Sequence, residues 1–334
     1  MPFVTEFAGP RRPLESWPPL VAGGVRRTST IDTHPDGEAG SQVELRARDV
    51  LAGPGGVSVA GDVALGARLH GGVIEEIRPI GGGTDDRLTP LHGRRVGPGF
   101  RAGLAELFPD EVRSGSLLHL LLDDWVGAAL VSGYALQYRE IELGLPERMS
   151  VGAADRMTGV CAGWAPDASM AGYAREHNVV PCFRGPVAPP LWTDHDPGMH
   201  PVRPLRADGM RRLRRIDLRP EGETLVFDAH FRDSHLNRSG LEEVVHEYTV
   251  TGAVDPVTRT VTRVDAQVRV LPWKECPRAV DSATRITGMP LAQLRTRVRT
   301  ELVGTSTCTH LNDTLRALAD LDVLADLAGR VRAR

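Results

Sequence analysis

The chain has 334 residues, of which 41% are hydrophobic and 25% are charged, and its formal net charge is −3. This composition is typical of a globular protein and excludes a disordered chain. Because the charges nearly balance, the protein has no global field that would attract nucleic acid or an anionic membrane, and we expect neither as a partner.

The N-terminal residues bear on where the protein resides. Residues 1–23 are interrupted by Pro10, Pro13, Pro18 and Pro19 and lack the apolar core of a secretory signal. We therefore expect an irregular N-terminal segment and a cytoplasmic protein. Four cysteines in a chain of this length are too few for a disulfide framework, so reduced thiols are expected.

Residues 24–144 predict a first α+β unit. Alternating apolar residues around Gly71-Gly72 indicate a β-hairpin, and segments with helical spacing follow it. The unit ends with a strongly apolar stretch, 117–136, that contains Asp123, Asp124 and His119. Because charged groups are costly inside a bilayer, we interpret this stretch as a buried helix and not as a membrane span.

Residues 208–330 predict a second unit that echoes the first. The echo consists of Arg26-Arg27 with Arg211-Arg212, Ile31-Asp32 with Ile216-Asp217, and Ala47-Arg48-Asp49 with Phe231-Arg232-Asp233. In both units four predicted strands precede three predicted helices. We predict a tandem α+β pseudo-repeat in which each unit is an antiparallel sheet covered by helices on one face, packed as a pseudo-dimer. The alternative is a chance similarity of two α+β segments, and the oligomeric state of the protein is left open.

An interdomain segment, residues 145–207, separates the two units. It is rich in proline and glycine and contains the sequence Cys161-Ala162-Gly163-Trp164. A segment of this length with its own cysteines and tryptophans is expected to be ordered against the domains. A lid over a site and a plain connector are equally good interpretations of it.

Two groups of polar residues are interpreted as surface features. The basic cluster Arg211, Arg212, Arg214 and Arg215 is predicted to be a solvated part of a strand. His230 and His235, at or just past the end of the strand predicted over 227–231, are predicted to be exposed as well.

The second unit concentrates the side chains that could carry chemistry, namely Asp233, His246, Cys276, Cys308 and His310. Cys276 is predicted to end the last strand of this unit and to open its first helix, and Cys308 and His310 are predicted to open its last helix. A helix N-terminus lowers the pKa of a thiol, so both cysteines are expected to be activated. The first unit has no cysteine: Leu117 stands where Cys308 does, while His119 corresponds to His310.

Three interpretations of this cluster compete. In the first, the cysteines and histidines act as nucleophile or acid–base pair, with Asp233 or Glu247 orienting an imidazole. The substrate is then a small, partly apolar molecule from secondary or catabolic metabolism, held by Trp273, Tyr248, Arg232 and Trp164. No nucleotide cofactor is expected, because the sequence has no Walker, Rossmann or G-x-S-x-G motif.

In the second interpretation, Cys276, Cys308, His310 and His246 bind zinc, iron or an iron–sulfur cluster, since two thiolates and two imidazoles suit these metals. In the third, the cysteines are packing residues and the histidines satisfy backbone carbonyls. A module that binds a small molecule without turnover is a further alternative.

The order Arg211-Arg212, Ile216-Asp217, Asp233, His246, Cys276 and Cys308-Thr309-His310-Leu311 resembles the bacterial domain-of-unknown-function family 2889 over about residues 208–330. The resemblance implies a site at these residues and no particular reaction. The positions of Cys276 and Cys308 are also similar to those of cysteines in the SufE/NifU-like fold of iron–sulfur scaffold proteins. That likeness implies cluster binding by analogy, although this chain lacks the first cysteine loop of those scaffolds.

Overall fold

Eight antiparallel strands form one continuous sheet in the computed structural model, which describes residues 3–37, 39–144, 152–193 and 196–332. The strands are β1 (Val25–Asp36), β2 (Gly40–Gly53), β3 (Gly56–His70), β4 (Val73–Pro79), β5 (Met210–Glu221), β6 (Thr224–Leu236), β7 (Glu242–Asp255) and β8 (Thr260–Val270). Their order across the sheet is β4-β3-β2-β1-β5-β6-β7-β8. Two four-stranded meanders therefore meet where β1 pairs with β5.

Helices follow each meander. After β4 come a 3-10 helix (Asp86–Leu91), α1 (Phe100–Leu107), α2 (Pro109–Ser114) and α3 (Leu117–Glu142). The segment between the meanders contains α4 (Ala153–Met157), a 3-10 helix (Ala162–Trp164) and α5 (Ser169–His177). After β8 come a 3-10 helix (Cys276–Ile286), α6 (Leu291–Glu301), α7 (Thr309–Ala317), a 3-10 turn (Leu318–Asp320) and α8 (Leu321–Arg332).

The apolar stretch predicted to be a buried helix is the first part of α3. Ser116 caps this helix by accepting a hydrogen bond from the backbone N–H of His119 at 3.1 Å. Leu120, Leu121 and Trp125 are buried against the sheet. Within the described part of the chain, no helix combines the length and the apolar character needed to cross a bilayer.

Two hydrophobic clusters lie along the sheet. One joins β1–β4 to α1 and α3, and the other, larger one joins β5–β8 to the later helices and to the segment between the meanders. The antiparallel α+β class is thus confirmed, but the two predicted sheets are one sheet. The predicted domain limits stay predictions, and residues 145–151, 194 and 195 of the predicted interdomain segment lie outside the described residues.

Six arginines are buried at the β1–β5 junction. Arg26, Arg27, Arg211, Arg212, Arg214 and Arg215 are each between 0 and 6% exposed. The prediction that the cluster at 211–215 is solvated is therefore wrong. Both faces of the sheet are covered here, and each guanidinium pairs with aspartates instead of water.

The face of the sheet opposite α3 and α7 is covered by irregular parts of the N-terminal and interdomain segments. Trp17, Leu191, Met199 and Leu213 pack together on this face. His200 lies between the hydroxyls of Thr28 and Thr30, and each of its ring nitrogens is 2.8 Å from one of them. The N-terminal segment and the end of the interdomain segment are thus ordered against the sheet, as the length of the latter predicted.

Candidate functional site

A cavity of about 410 Å³ opens between α3, the segment 156–181 and the loops that follow β8 and α6. Three cysteines and two histidines line it: Cys161, Cys276, Cys308, His246 and His310. Trp164 and Trp273 form part of its wall. The structure thus brings together six of the residues that the sequence nominated and adds Cys161 to them.

Chain geometry explains why these residues meet. His246 lies on β7 directly opposite Asp233 on β6, beside a β-bulge. Cys276 opens the 3-10 helix that follows β8, as predicted, but it does not end the strand, because β8 stops at Val270. Cys308 is the N-cap residue of α7, and His310 lies in its first turn. However, α7 is not the last helix, because α8 follows it, and the cap position of α3 is Ser116 and not Leu117.

Asp233 lies beneath the cavity, close to both histidines. Its Oδ2 atom lies 3.4 Å from Nδ1 of His246 and 4.0 Å from Nε2 of His310. The two imidazole rings stack with 3.6 Å between their centroids and 17° between their planes. The other ring nitrogen of His310, Nδ1, is 4.0 Å from Sγ of Cys308. A carboxylate, an imidazole and a thiol therefore follow one another towards the cavity.

Arg212 holds Asp233 in place. Its Nε and Nη2 atoms donate to the two carboxylate oxygens at 2.9 and 3.0 Å, and its Nη1 donates to Asp313 at 2.9 Å. Burial alone would raise the pKa of Asp233, but Arg212 and His246 outweigh burial and lower this pKa. Asp233 is consequently a carboxylate with a fixed orientation.

Both imidazoles are neutral near pH 7. Burial lowers the pKa of His246, and burial together with the neighbouring His246 lowers the pKa of His310 well below its usual value. A neutral imidazole has a free lone pair on one ring nitrogen and can accept a proton. The pair is thus suited to the role of a base.

The thiols are protonated, which contradicts the expected activation by helix N-termini. Burial raises the pKa of Cys161 to about 11, raises that of Cys308 and raises that of Cys276 well above its usual value. Tyr248 and backbone N–H groups at the start of α7 lower the Cys308 pKa, but burial dominates. In this state the thiols are proton donors rather than thiolate nucleophiles.

Two nominated substrate-binding residues do not line the cavity. Arg232 lies on the other face of the sheet, where it donates to Glu247 at 2.8 Å. His230 also contacts that carboxylate, at 2.6 Å, which leaves Glu247 committed to them and away from the histidines of the cavity. Tyr248 is buried beneath the site, where burial and Cys308 raise its pKa.

The two histidines predicted to be exposed are buried. His230 is 0% and His235 is 2% exposed. Both lie on a strand that is covered on its two faces at this point, so the end of the predicted strand over 227–231 was placed too early: β6 continues to Leu236. Neither histidine lines the cavity.

Cys161 lines the cavity but was not among the predicted site residues. The signal was present in the compact turn Cys161-Ala162-Gly163-Trp164. The backbone N–H of Ala162 donates to the carbonyl of Thr307 at 2.9 Å, which places the turn beside Cys308. A Cβ atom on Gly163 would stand 2.8 Å from Sγ of Cys276, so glycine is needed for this close approach.

The residues that are close enough together to bind one metal ion differ from the predicted set. Among the described residues, Asp233, His246 and His310 form a group whose potential ligand atoms all lie within 4.8 Å of one another, whereas the set of Cys276, Cys308, His310 and His246 does not. Two imidazoles and a carboxylate suit iron or zinc. A nitrogen lone pair lies in the plane of its ring, and two nearly parallel stacked planes share no point where one ion could sit. These residues therefore fit a metal poorly unless one ring rotates.

Comparison with known proteins gives a match to the later part of the chain. Neither a search of curated proteins nor a search of solved structures found a match, and the likeness to SufE/NifU-like scaffolds is not confirmed. Asp233, His246, Cys276, Cys308 and His310 all lie within one matched region. Residues 210–323 match the model of the family described as a protein of unknown function, DUF2889, which confirms the predicted resemblance to that family over this part of the chain.

Proposed function

We propose that the protein is an enzyme that transfers protons on a small, largely apolar organic molecule bound in the cavity. The observation that carries this proposal is the alignment of Asp233, His310 and Cys308, in which a carboxylate-backed neutral imidazole lies 4.0 Å from a thiol on the cavity wall. Isomerases and lyases of the acid–base type need a base and an acid placed in this way.

Each group has a definite role in this proposal. His310 takes a proton from the substrate, and Asp233 stabilises the imidazolium that forms. Arg212 keeps Asp233 ionised and oriented. Cys308 or Cys276 returns a proton to another atom of the substrate or to a leaving group. The raised pKa values of the thiols favour this acid–base role over a nucleophilic one.

The test is solvent deuterium incorporation into a panel of cyclic and aromatic ketones, followed by proton NMR in D₂O. For any panel member that the wild-type protein exchanges, His310→Gln is expected to slow exchange by about 100-fold or more, the effect of losing a general base. Cys308→Ser is expected to slow the return of the proton. Cys182→Ser is the control, because Cys182 is buried outside the cavity wall.

The same experiment separates the alternatives. Unchanged exchange in His310→Gln, with an unchanged melting temperature, contradicts the proposal. Stabilisation by panel compounds without exchange favours a binding module. A stoichiometric amount of zinc or iron after anaerobic purification, lost in His246→Ala, favours the metal-binding alternative. We expect no such stoichiometric metal, because the stacked rings of His246 and His310 suit one another better than they suit an ion.

We also propose that the two halves of the chain descend from an internal duplication and pack as a pseudo-dimer. The β1–β5 register supports this, since it centres on the pair Ser29 and Arg214. Around that centre, Arg26 donates to Asp217 at 2.7 Å and Arg211 donates to Asp32 at 2.7 Å. These are the residues that the sequence echo had placed in correspondence.

An internal duplication predicts that equivalent substitutions in the two halves change the free energy of unfolding by similar amounts. Arg26→Ala and Arg211→Ala are expected to lower the free energy of unfolding by similar amounts, roughly 3 kcal/mol each, because both leave an aspartate without its buried partner. Urea denaturation of the two variants measures this. A large loss in one variant and none in the other would argue that the correspondence is fortuitous.

A further inference from the structure

We propose that the cavity takes an uncharged apolar ligand, and that the wall which selects this ligand comes from α3 and the segment 156–181. This wall lies outside the part of the chain that matches the family. The inference rests on the proposed function only in using the same cavity, because its test measures binding and not turnover.

The lining of the cavity is divided between two parts of the chain. The matched region contributes both histidines and two of the three cysteines of the lining, His246, His310, Cys276 and Cys308. The facing wall is apolar and belongs to residues before the match, among them Leu130, Val131, Tyr134, Met157, Val160 and Met170. Apart from Cys161, the reactive groups and the facing apolar wall thus come from separate stretches of sequence.

The charges around the cavity favour a neutral ligand. In the lining that the structure describes, Arg156 is the one side chain with a fixed charge, and it is exposed, which puts it at the rim. Deeper in the cavity the imidazoles and thiols are uncharged, and Asp233 lies behind the histidines. A carboxylate buried there would have no cation to replace its hydration, which is costly.

The entrance is apolar too. Leu130 is 58% and Val160 is 48% exposed, and both line the cavity. Exposed aliphatic side chains on the two sides of an opening are a means of admitting an apolar molecule. A volume of about 410 Å³ is within the range of pockets that bind small organic molecules.

Gly133 offers a way to change the wall without disturbing the fold. It lies on the stripe of α3 that also contains Leu130 and Gln137, and all three line the cavity. A Cβ atom built on Gly133 meets no atom within 4 Å. Gly172 in α5 is a matched control, because a Cβ there also meets no atom within 4 Å, and Gly172 is exposed away from the cavity lining.

The experiment compares the binding of methyl 1-naphthoate and 1-naphthoate, which have the same rings and differ in charge, to the full chain by calorimetry. The ester is expected to bind at least about tenfold more tightly than the carboxylate, a difference of about 1.4 kcal/mol. Gly133→Leu is expected to weaken ester binding at least about tenfold by filling the cavity, while Gly172→Leu binds as the wild type does.

Three results would overturn the inference: no ester binding to the wild-type protein, tighter binding of the carboxylate, or equal ester binding by Gly133→Leu and Gly172→Leu. Failure here differs from failure of the proposed function. Suppose that Gly133→Leu weakens ester binding, Gly172→Leu does not, and no panel compound exchanges deuterium. The inferred ligand class and selective wall would then be supported, and the proposed enzymatic function would not. Deuterium exchange in a charged substrate would contradict the inferred ligand class and support the proposed enzymatic function.

Discussion

Acidification from pH 7 to pH 5 is expected to remove several kcal/mol from the free energy of unfolding. The cause is a set of buried histidines that lie outside the lining of the candidate cavity. Burial lowers the pKa of His119, His230 and His235 to about 4 and that of His200 to about 3. An unfolded histidine has a pKa of about 6.5, so below that pH the unfolded chain binds protons that the folded protein does not.

The sign and the window of this effect follow from those pKa values. The stabilisation is complete above pH 6.5 and declines as the pH falls towards 4, at a rate of about 1.4 kcal/mol per pH unit for each histidine. Between pH 6.5 and pH 5 each histidine thus removes roughly 2 kcal/mol. The buried aspartates do not contribute in this window, because an unfolded aspartate titrates near pH 4.

His235 allows the sharpest test. Among the residues that the structure describes, neither of its ring nitrogens has a hydrogen-bond partner, and its ring centroid lies 4.2 Å from that of Tyr138. His235→Phe therefore loses no hydrogen bond, and this variant is expected to lose about 2 kcal/mol less than the wild type between pH 7 and pH 5. Urea denaturation at the two pH values measures the difference. His70→Phe, at an exposed position, is the control, and parallel losses in all three proteins would contradict the prediction.

Replacement of Gly127 by alanine is expected to destabilise the protein by about 3 kcal/mol, although the same exchange in an exposed helix gains up to about 1 kcal/mol. A Cβ atom on Gly127 would stand 1.8 Å from Nη1 of Arg212 and 2.5 Å from Oδ2 of Asp313. The tip of an arginine can often move aside. Arg212 cannot do so cheaply, because it is 1% exposed and ion-paired to Asp233 and Asp313.

Gly133→Ala in the same helix is the control, and urea denaturation of both variants is the measurement. Because a Cβ on Gly133 meets open space, this variant is expected to gain up to about 1 kcal/mol. Stabilisation by both substitutions would show that the Arg212 pairs tolerate displacement. Since Arg212 orients Asp233, Gly127→Ala is also expected to weaken any activity that depends on His310.

Local sequence patterns were sufficient to predict much of the fold and part of the site. Alternation around turns located the hairpins, and the apolar run with Asp123 and Asp124 located α3. The sequence predicted that Cys276 and Cys308 lie at helix starts, and that they share one pocket with His310 if those two helix starts meet. The structure places both in one cavity with His246 and His310.

The errors concern partners that are distant in sequence. The cluster at 211–215 has the composition of a solvated strand, and its burial depends on Asp32, Asp124 and Asp313, which lie far away along the chain. The raised pKa values of the thiols likewise depend on how deeply the helix starts are buried. The spacing of residues in the sequence does not predict that burial. Arg232 is different, because the period of two in a strand places it on the opposite face from Asp233. Applied strictly, that period would have removed Arg232 from the candidate site.

The pairing of β1 with β5 has a consequence for shorter chains. A polypeptide that begins near residue 208 would expose β5 as a sheet edge on which Arg211 and Arg214 have lost their partners Asp32 and Asp124. Such an edge is complementary to itself, since antiparallel pairing centred on Arg214 would set Arg211 of one copy opposite Asp217 of the other. A protein reduced to the matched family region is thus expected to associate as a symmetric homodimer. In the present chain β1 occupies that place, so the same polypeptide covers the edge of β5 and supplies the carboxylate of Asp32 to Arg211.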